Sequence, residues 1–384
     1  MLETCILLEP GQMEFEWTCW RDKPIWVLGS YIPLNDLRSV RKVVHSLFWF
    51  CYRENFSEIE STNLTSDKGW GCMLRCGQMM LANCFARHYF GNDVLAWDVA
   101  GIEQNSEHNA ILSMFADEPS SCYSVHNIVL VGKSNGIDAG QWFGPNSLAQ
   151  VLRTLSYKDT YSKVRIHVAM DATVAVDAVK SSFLQSEDHC EQTESVCSFG
   201  CAGKHCSSKS SNGQNYCPTN FQRPLLLIVP LRLGLSSLNA DYIPSLKTFF
   251  KLRWCAGILG GRPKHALYFV GIVGDSLIYL DPHYVRAAST LNSTERSRSA
   301  DFHHDIVDCM EMDDIDPSMA LCFLCESLSD FDDLCAELKS QRMKTIHAAM
   351  FEIVEKMPDD SVIADSNAQA FRLNDSDSEY EVLS

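Results

Sequence analysis

Two apolar runs rich in β-branched and aromatic residues, Ala266 to Val273 and Ser276 to Leu280, are separated only by Gly274-Asp275, the pattern of a tight β-hairpin. Met319 to Cys325 reads as a further buried strand, and Pro24 to Gly29 as a short one. The front of the chain carries a different period. Leu37 to Phe50 places Val40, Val43, Val44 and Leu47 on one side of an amphipathic helix. From Gly71 a proline-free run through Arg87, ending near Gly91, predicts a buried helix. Near the C-terminus Phe331, Leu334, Cys335 and Leu338 give helical spacing, with Ser329 as the expected cap. A helix-rich first half followed by a strand-rich second half belongs to the α+β class rather than to a regular βαβ series.

With 384 residues and 46% of them hydrophobic, the chain has ample material for one enzyme-sized unit. We expect residues 1–23 to form a flexible N-terminal segment and 24–354 the folded unit. Within that unit 186–218, rich in Ser, Asn, Gly and Cys, forms an inserted, disordered excursion. The acid-rich stretch Asp301 to Asp316 reads as a solvated loop, and 355–384 as an acidic, flexible tail. The net charge of −17 excludes nucleic acid as a natural partner, because phosphate binding needs a basic face. The longest apolar stretch, Leu225 to Val229 between two prolines, is far short of the ~20 residues that span a bilayer. The first residues carry acids where a secretory signal needs bases. The 17 cysteines, odd in number and irregular in spacing, therefore read as reduced thiols of a cytoplasmic protein.

Phosphate-binding glycine signatures and His-Glu-x-x-His are absent from the sequence. Cys322 and Cys325, in a strand, point to opposite faces and read as core. The cysteines and His205 of the insert offer metal-binding atoms in none of the usual spacings. Cys72 stands apart, because it opens a helix. A helix N-terminus offers partial positive charge and unpaired N–H groups that favour a thiolate, and the preceding turn supplies Ser66 and Asp67 as caps. The alternative is a plain core cysteine. Asp281-Pro282-His283 follows the second hairpin strand, with acid and imidazole two apart on one side of a proline-stiffened bridge. An ordinary turn would use the same residues. Together, Cys72 as nucleophile, His283 as base and Asp281 as orienting acid make a complete acyl-transfer set.

Four segments, Gly69 to Met79, Gly140 to Asn146, Leu259 to Pro263 and Tyr279 to His283, closely resemble the autophagin family of cysteine proteases in order and spacing along nearly the whole chain. The resemblance implies a papain-like fold without a cofactor. It also implies a peptidase that trims ubiquitin-like autophagy modifiers to a terminal glycine and releases them from phosphatidylethanolamine. The family's nucleophile, acid and His fall on Cys72, Asp281 and His283. Its oxyanion tyrosine falls on Tyr52, and the residue covering its cleft on Trp142. Gly260, Gly261, Arg262 and Pro263 match a lid loop over a slot narrow enough to pass glycine and reject side chains. Cys76 matches a candidate redox partner of the nucleophile, with core packing as the alternative. Tyr380 and Leu383 in the acidic tail resemble a short motif that binds such modifiers by strand addition. The expected partners are the modifier precursor and its lipid conjugate, with membrane access through the lipidated substrate rather than direct insertion, and the protein acting as a monomer.

Overall fold

The computed structural model describes residues 23–33, 37–60, 62–94, 97, 105–184, 223–288, 302–304, 306–344 and 348–357. In chain order the elements are β1 (Ile25–Val27), β2 (Ser30–Ile32), α1 (Leu37–Ser46), β3 (Tyr52–Glu54), α2 (Cys72–Phe90), α3 (Ser106–Met114), α4 (Val125–Ser134) and α5 (Pro145–Ser156). They continue with β4 (Arg165–Val168), β5 (Thr173–Ala175), α6 (Val176–Leu184), β6 (Leu225–Arg232), α7 (Ile243–Phe249), β7 (Cys255–Arg262), β8 (His265–Val273), β9 (Ser276–Leu280) and β10 (Val285–Ala287). The last are β11 (Asp308–Glu311), β12 (Ser318–Cys325), α8 (Leu328–Lys344) and β13 (Glu352–Val354). Helices gather in the first half and strands in the second, the α+β order the sequence dictates.

The main sheet runs β11-β9-β8-β7-β12-β6-β4, antiparallel except for the parallel β4–β6 pair, and β1 continues the edge of β8 beyond the reach of β7. Both faces are buried. Leu226, Ile228, Leu259, Tyr268 and Cys322 join the core that holds α2, while Leu225, Leu227, Ile258, Phe269 and Cys325 join the opposite core with Phe249 and Phe331. That two-sided burial is why β6 and β12 read as unbroken apolar runs rather than alternating ones. Cys322 and Cys325 fall on opposite faces as their spacing requires. The β8–β9 hairpin closes at Val273 opposite Ser276, with Gly274 at φ 60 as the tight turn demands.

Four boundaries differ from the sequence expectation. The first helix stops at Ser46 rather than Phe50, because the Ser46 hydroxyl donates to Val43 O at 2.7 Å and Phe48 is taken by Asn83, which accepts from its N–H at 2.9 Å and donates to its carbonyl at 3.0 Å. Helix α8 is capped by Ser327, whose hydroxyl accepts the Asp330 N–H at 3.1 Å, leaving Ser329 inside the helix. Asp301 to Asp316 is not a solvated loop over its described residues. Phe302, His303, Met310 and Met312 are buried, and β11 pairs with β9 at the sheet edge. Glu355, assigned to the tail, is tied to the body through the Asp177 N–H at 3.1 Å and Lys339 at 3.0 Å. The 1–22, 186–218 and 358–384 segments lie outside the described residues. Among the described residues no helix is long and apolar enough to cross a membrane, and no disulfide joins the cysteines.

Candidate active site

Helix α2 is buried on every side from Cys72 to Arg87, its polar Arg75, Gln78, Asn83 and Arg87 included, so its N-terminus is delivered into the protein interior beside the sheet. Its cap residue, Gly71, supplies no side chain, and neither Ser66 nor Asp67 caps the helix as the sequence suggests. The Ser66 hydroxyl donates instead to Arg53 O at 2.9 Å. Asp67, fully buried, accepts from the Arg53 N–H and from Arg75 Nε, each at 2.7 Å. Arg75 donates onward from Nη1 to Asp117 at 2.8 Å and Gln78 at 3.0 Å. The turn before Cys72 is thereby pinned to the helix that follows it, and the first-turn N–H groups are left without a side-chain cap near the thiol.

The acid and the imidazole come from the other half of the chain. Strand β9 ends at Leu280, and Asp281-Pro282-His283 turns away from it. Ionised, Asp281 can only accept, so His283 Nδ1 is the donor in their 2.6 Å bond, and Asp281 Oδ1 also takes the His283 backbone N–H at 2.9 Å. The backbone of this turn is held from the front half: Trp49 Nε1 donates to Asp281 O at 2.7 Å, and the Tyr52 N–H to Pro282 O at 3.0 Å. Strand β10 then pairs in parallel with β3, Val285 opposite Tyr52, which brings the Tyr52 ring edge-on to His283 with centroids 5.4 Å apart.

Cys72, His283, Asp281 and Tyr52 therefore meet. Burial pushes the Cys72 thiol up, but His283, the Ala266 backbone N–H and the Tyr52 hydroxyl outweigh it and bring the pKa below the ordinary thiol value. Burial pushes His283 down, and Asp281 and Cys72 outweigh that too, raising it to about 9. Asp281 is desolvated yet held below the usual carboxylate range by His283. Tyr52 is pushed well up by burial and then by Cys72, so its hydroxyl stays a donor. His283 Nε2 is buried, and with Nδ1 taken by Asp281 it is the ring nitrogen left for the link by which Cys72 raises the imidazole. The thiol is lowered and the imidazole raised by one another, with a carboxylate on the ring's other nitrogen, an arrangement that favours the thiolate and imidazolium forms together.

Gly260, Gly261 and Arg262, expected in a lid loop, are the last residues of β7, paired with Leu267, Ala266 and His265 of β8. The ladder satisfies their backbone groups, so only the Pro263-Lys264 turn lies beyond it. Gly261 has φ 153, and a Cβ there would lie 2.8 Å from Ala266 Cα, which excludes any other residue at this crossing. Trp142, in the bend leading into α5, is a large apolar residue 46% exposed. Cys76 is fully buried one turn after Cys72, its thiol pushed well above the ordinary value by burial and then by Cys72, as for a neutral core thiol. Tyr380 and Leu383 lie outside the described residues.

Sequence reasoning missed two members of the site, His265 and the backbone N–H of Ala266. Their signal is the Arg262-Pro263-Lys264-His265 turn, which returns the chain to the dyad, but which side chain it presents there depends on the β7–β8 register. His265, Asp281 and His283 have ligand atoms within 4.8 Å of one another. The two imidazoles are stacked with planes 6° apart, so their in-plane lone pairs run side by side instead of converging on one ion, and Asp281 is already engaged by His283.

Against known proteins, residues 37–337 match the peptidase C54 catalytic domain. The chain belongs to the peptidase C54, or autophagin, family. Among C54 relatives, the cysteine protease ATG4B of Xenopus laevis is 38% identical over 377 residues, spanning 94% of this chain and 94% of that protein. Cysteine protease ATG4A of Xenopus laevis is 36% identical over 354 residues, 91% of this chain and 86% of that protein. Cysteine protease ATG4A of Gallus gallus is 38% identical over 341 residues, 88% and 87% respectively. The C54 assignment makes the chain a thiol protease of autophagy on a papain-like α+β fold.

Proposed function

We propose that this C54 protease cleaves ubiquitin-like autophagy modifiers after a C-terminal glycine, both in the peptide precursor and in the conjugate with phosphatidylethanolamine. The observation that carries the reading is the meeting of Cys72, at an uncapped helix N-terminus, with the His283–Asp281 pair inside a chain of this family. The Cys72 thiolate attacks the glycine carbonyl carbon, and the carbonyl electrons move to oxygen. That oxyanion is held by the Cys72 backbone N–H and the Tyr52 hydroxyl. His283 gives its proton to the leaving amine, the C–N bond breaks, and a thioester remains on Cys72. Water then attacks the thioester while His283 takes its proton, and Cys72 leaves as thiolate. Asp281 keeps the imidazole in the orientation that serves both halves. The chemistry is the same whether the amine is the next peptide residue or the lipid headgroup.

Specificity for glycine follows sterically if Trp142 forms one wall of the slot and the β7–β8 tip, Gly260 to Pro263, the other. Opening is then confined to the turn beyond the Arg262–His265 pair. We assign the peptidase domain to 24–354 with its insert at 186–218, and to the acidic 355–384 tail the capture of modifier through Tyr380 and Leu383. The protein acts as a cytoplasmic monomer, reaching membranes through its lipidated substrate.

The test is parallel incubation of the purified chain and its Cys72→Ala variant with a modifier precursor extended past its glycine, with the lipid conjugate in vesicles, and with a ubiquitin fusion. Cleavage of the first two alone, lost in the variant, is the expected result. Binding of modifier without cleavage would make the protein a sequestering factor, and cleavage of the ubiquitin fusion would reassign its substrate.

A further inference from the structure

His283 works at both edges of its ring: Nδ1 is bonded to Asp281 at 2.6 Å, and the opposite nitrogen, Nε2, is buried on the side where Cys72 favours the charged ring. Rotation about the Cβ–Cγ axis moves both ring nitrogens, so the plane of the ring decides at once how well Nδ1 meets Asp281 and how well Nε2 faces the thiol. Tyr52 meets the ring edge-on at 5.4 Å and 89°, which limits the swing without setting the plane. The plane is set by another imidazole. His265 lies flat on His283, ring centroids 3.5 Å apart and planes 6° from parallel.

The position of His265 is itself over-determined. It is the first residue of β8, opposite Arg262 in the last ladder pair before the turn. Pro263 has a fixed φ, and Lys264 takes φ 63, so the turn has little freedom in where it releases the chain. Four residues before His265, Gly261 approaches the backbone of His265 and Ala266 so closely that no side chain fits. The next residue, Ala266, directs its backbone N–H to the Cys72 thiol. One hairpin end thus touches both halves of the dyad.

We propose that His265 is a positioning residue, an imidazole on the β7–β8 hairpin that fixes the plane of the His283 ring so that Nε2 faces Cys72 while Nδ1 stays on Asp281. The inference rests on the reading of Cys72 and His283 as the reacting pair. The groups that face His265 are His283 and Asp281 from the β9–β10 turn and Arg262 from its own hairpin. Burial, and then the charge on His283, keeps His265 neutral at physiological pH by bringing its pKa down to about 4. A neutral ring can lie against an imidazolium without charge repulsion, and its π-face attracts the cation. Flatness and neutrality matter here, and the His265 nitrogens do not.

The full-length chain would be compared as wild type, His265→Ala and His265→Phe, with the glycine-extended modifier precursor as substrate. His265→Ala should lower kcat about fivefold to tenfold, the worth of one aromatic contact, with KM little changed. His265→Phe should bring kcat back to within about twofold of wild type, because it restores the flat face without a titratable nitrogen. In parallel, the His283 ring-proton resonances in the absence of substrate should shift when the ring is removed in His265→Ala. Unchanged kcat in His265→Ala, equal losses in both variants, or a loss carried by KM would overturn the assignment. If alanine does not fold, His265→Gln, polar and without a ring, takes its place. Failure of the wild type to cleave any precursor would instead sink the proposed activity, and the substrate-free resonance shift would still decide whether the stack exists.

Discussion

Arg75, one helical turn beyond Cys72, holds Asp67 at 2.7 Å and Asp117 at 2.8 Å in a pocket closed to solvent, and so fastens the turn before Cys72 to the helix behind it. Burial alone would lower the guanidinium pKa, but the two carboxylates outweigh it and hold Arg75 charged. Arg75→Met strands two buried carboxylates. The expected cost is about 3–5 kcal/mol, because the charges left behind have lost their partner inside a low-dielectric site. Denaturant unfolding of the two proteins at pH 7 measures it, and a difference below about 1 kcal/mol, the size of a surface ion pair, would contradict this account.

Gly71 is required by contact rather than by backbone angle. A Cβ there would lie 2.6 Å from Asp67 Cβ and closer still to its carboxylate, and Asp67 cannot yield because Arg53 and Arg75 hold it. Gly71→Ala should therefore displace the start of α2 and with it Cys72. We expect kcat to fall by roughly 10²-fold, the cost of about a 1 Å misplacement, with a smaller loss of stability than Arg75→Met. Steady-state kinetics alongside a melting curve separates the two effects.

The pH profile follows from the dyad. Cys72 titrates below the ordinary thiol value and His283 is raised to about 9, and the two observed values belong to the pair. In the proposed mechanism activity needs thiolate and imidazolium together, so kcat/KM should rise as the pair forms and fall as pH passes about 9. Asp281→Asn removes the carboxylate that raises His283 and leaves the burial that lowers it. Its falling limb should move to lower pH, and kcat should drop by roughly 10²–10⁴-fold. A limb that stays at the wild-type position would mean that Asp281 does not act on the imidazole.

Stability should weaken in acid for a separate reason. Burial brings His108, with help from neighbouring His303, and His167, with help from Arg153, down to about 4 in the folded state. Unfolded, each takes up a proton near the ordinary histidine value of about 6.5. The unfolded state binds more protons between these values, so stability present above about pH 6.5 is lost as pH falls toward 4. His283 acts in the opposite sense: its contribution is complete below about 6.5 and is lost as pH rises through about 9. Melting temperature should fall between pH 6.5 and 4, and His167→Phe, which has nothing to protonate, should make that fall shallower. An equal slope in the variant would remove His167 from the account.

What could be read in the sequence was what depends on near neighbours. The β8–β9 hairpin is written in Gly274-Asp275, helix α2 in its proline-free run up to Gly91, and the Asp281–His283 bond in an i, i+2 spacing that a local turn realises. The ends of elements were legible only where the capping partner is local. Helix α1 stops early because Asn83, 35 residues on, takes the Phe48 backbone, and Ser66 and Asp67 do not cap α2 because Arg53 and Arg75 claim them first. The Asp301 to Asp316 stretch looked like solvent-facing chain by its acids, yet its apolar residues decide its place against β9. His265 was invisible for the same reason: nothing near it in the chain announces that strand register will lay it on an imidazole 18 residues away.

The central claim is that Cys72 attacks the carbonyl at the modifier's terminal glycine with help from His283. It is tested most directly by a modifier whose C-terminal glycine carries a thiol-reactive electrophile, followed by peptide mass spectrometry of the captured protein. The account predicts one adduct, on Cys72, absent from Cys72→Ala and slowed severely in His283→Ala. An adduct on any other cysteine, or undiminished capture in His283→Ala, would contradict it.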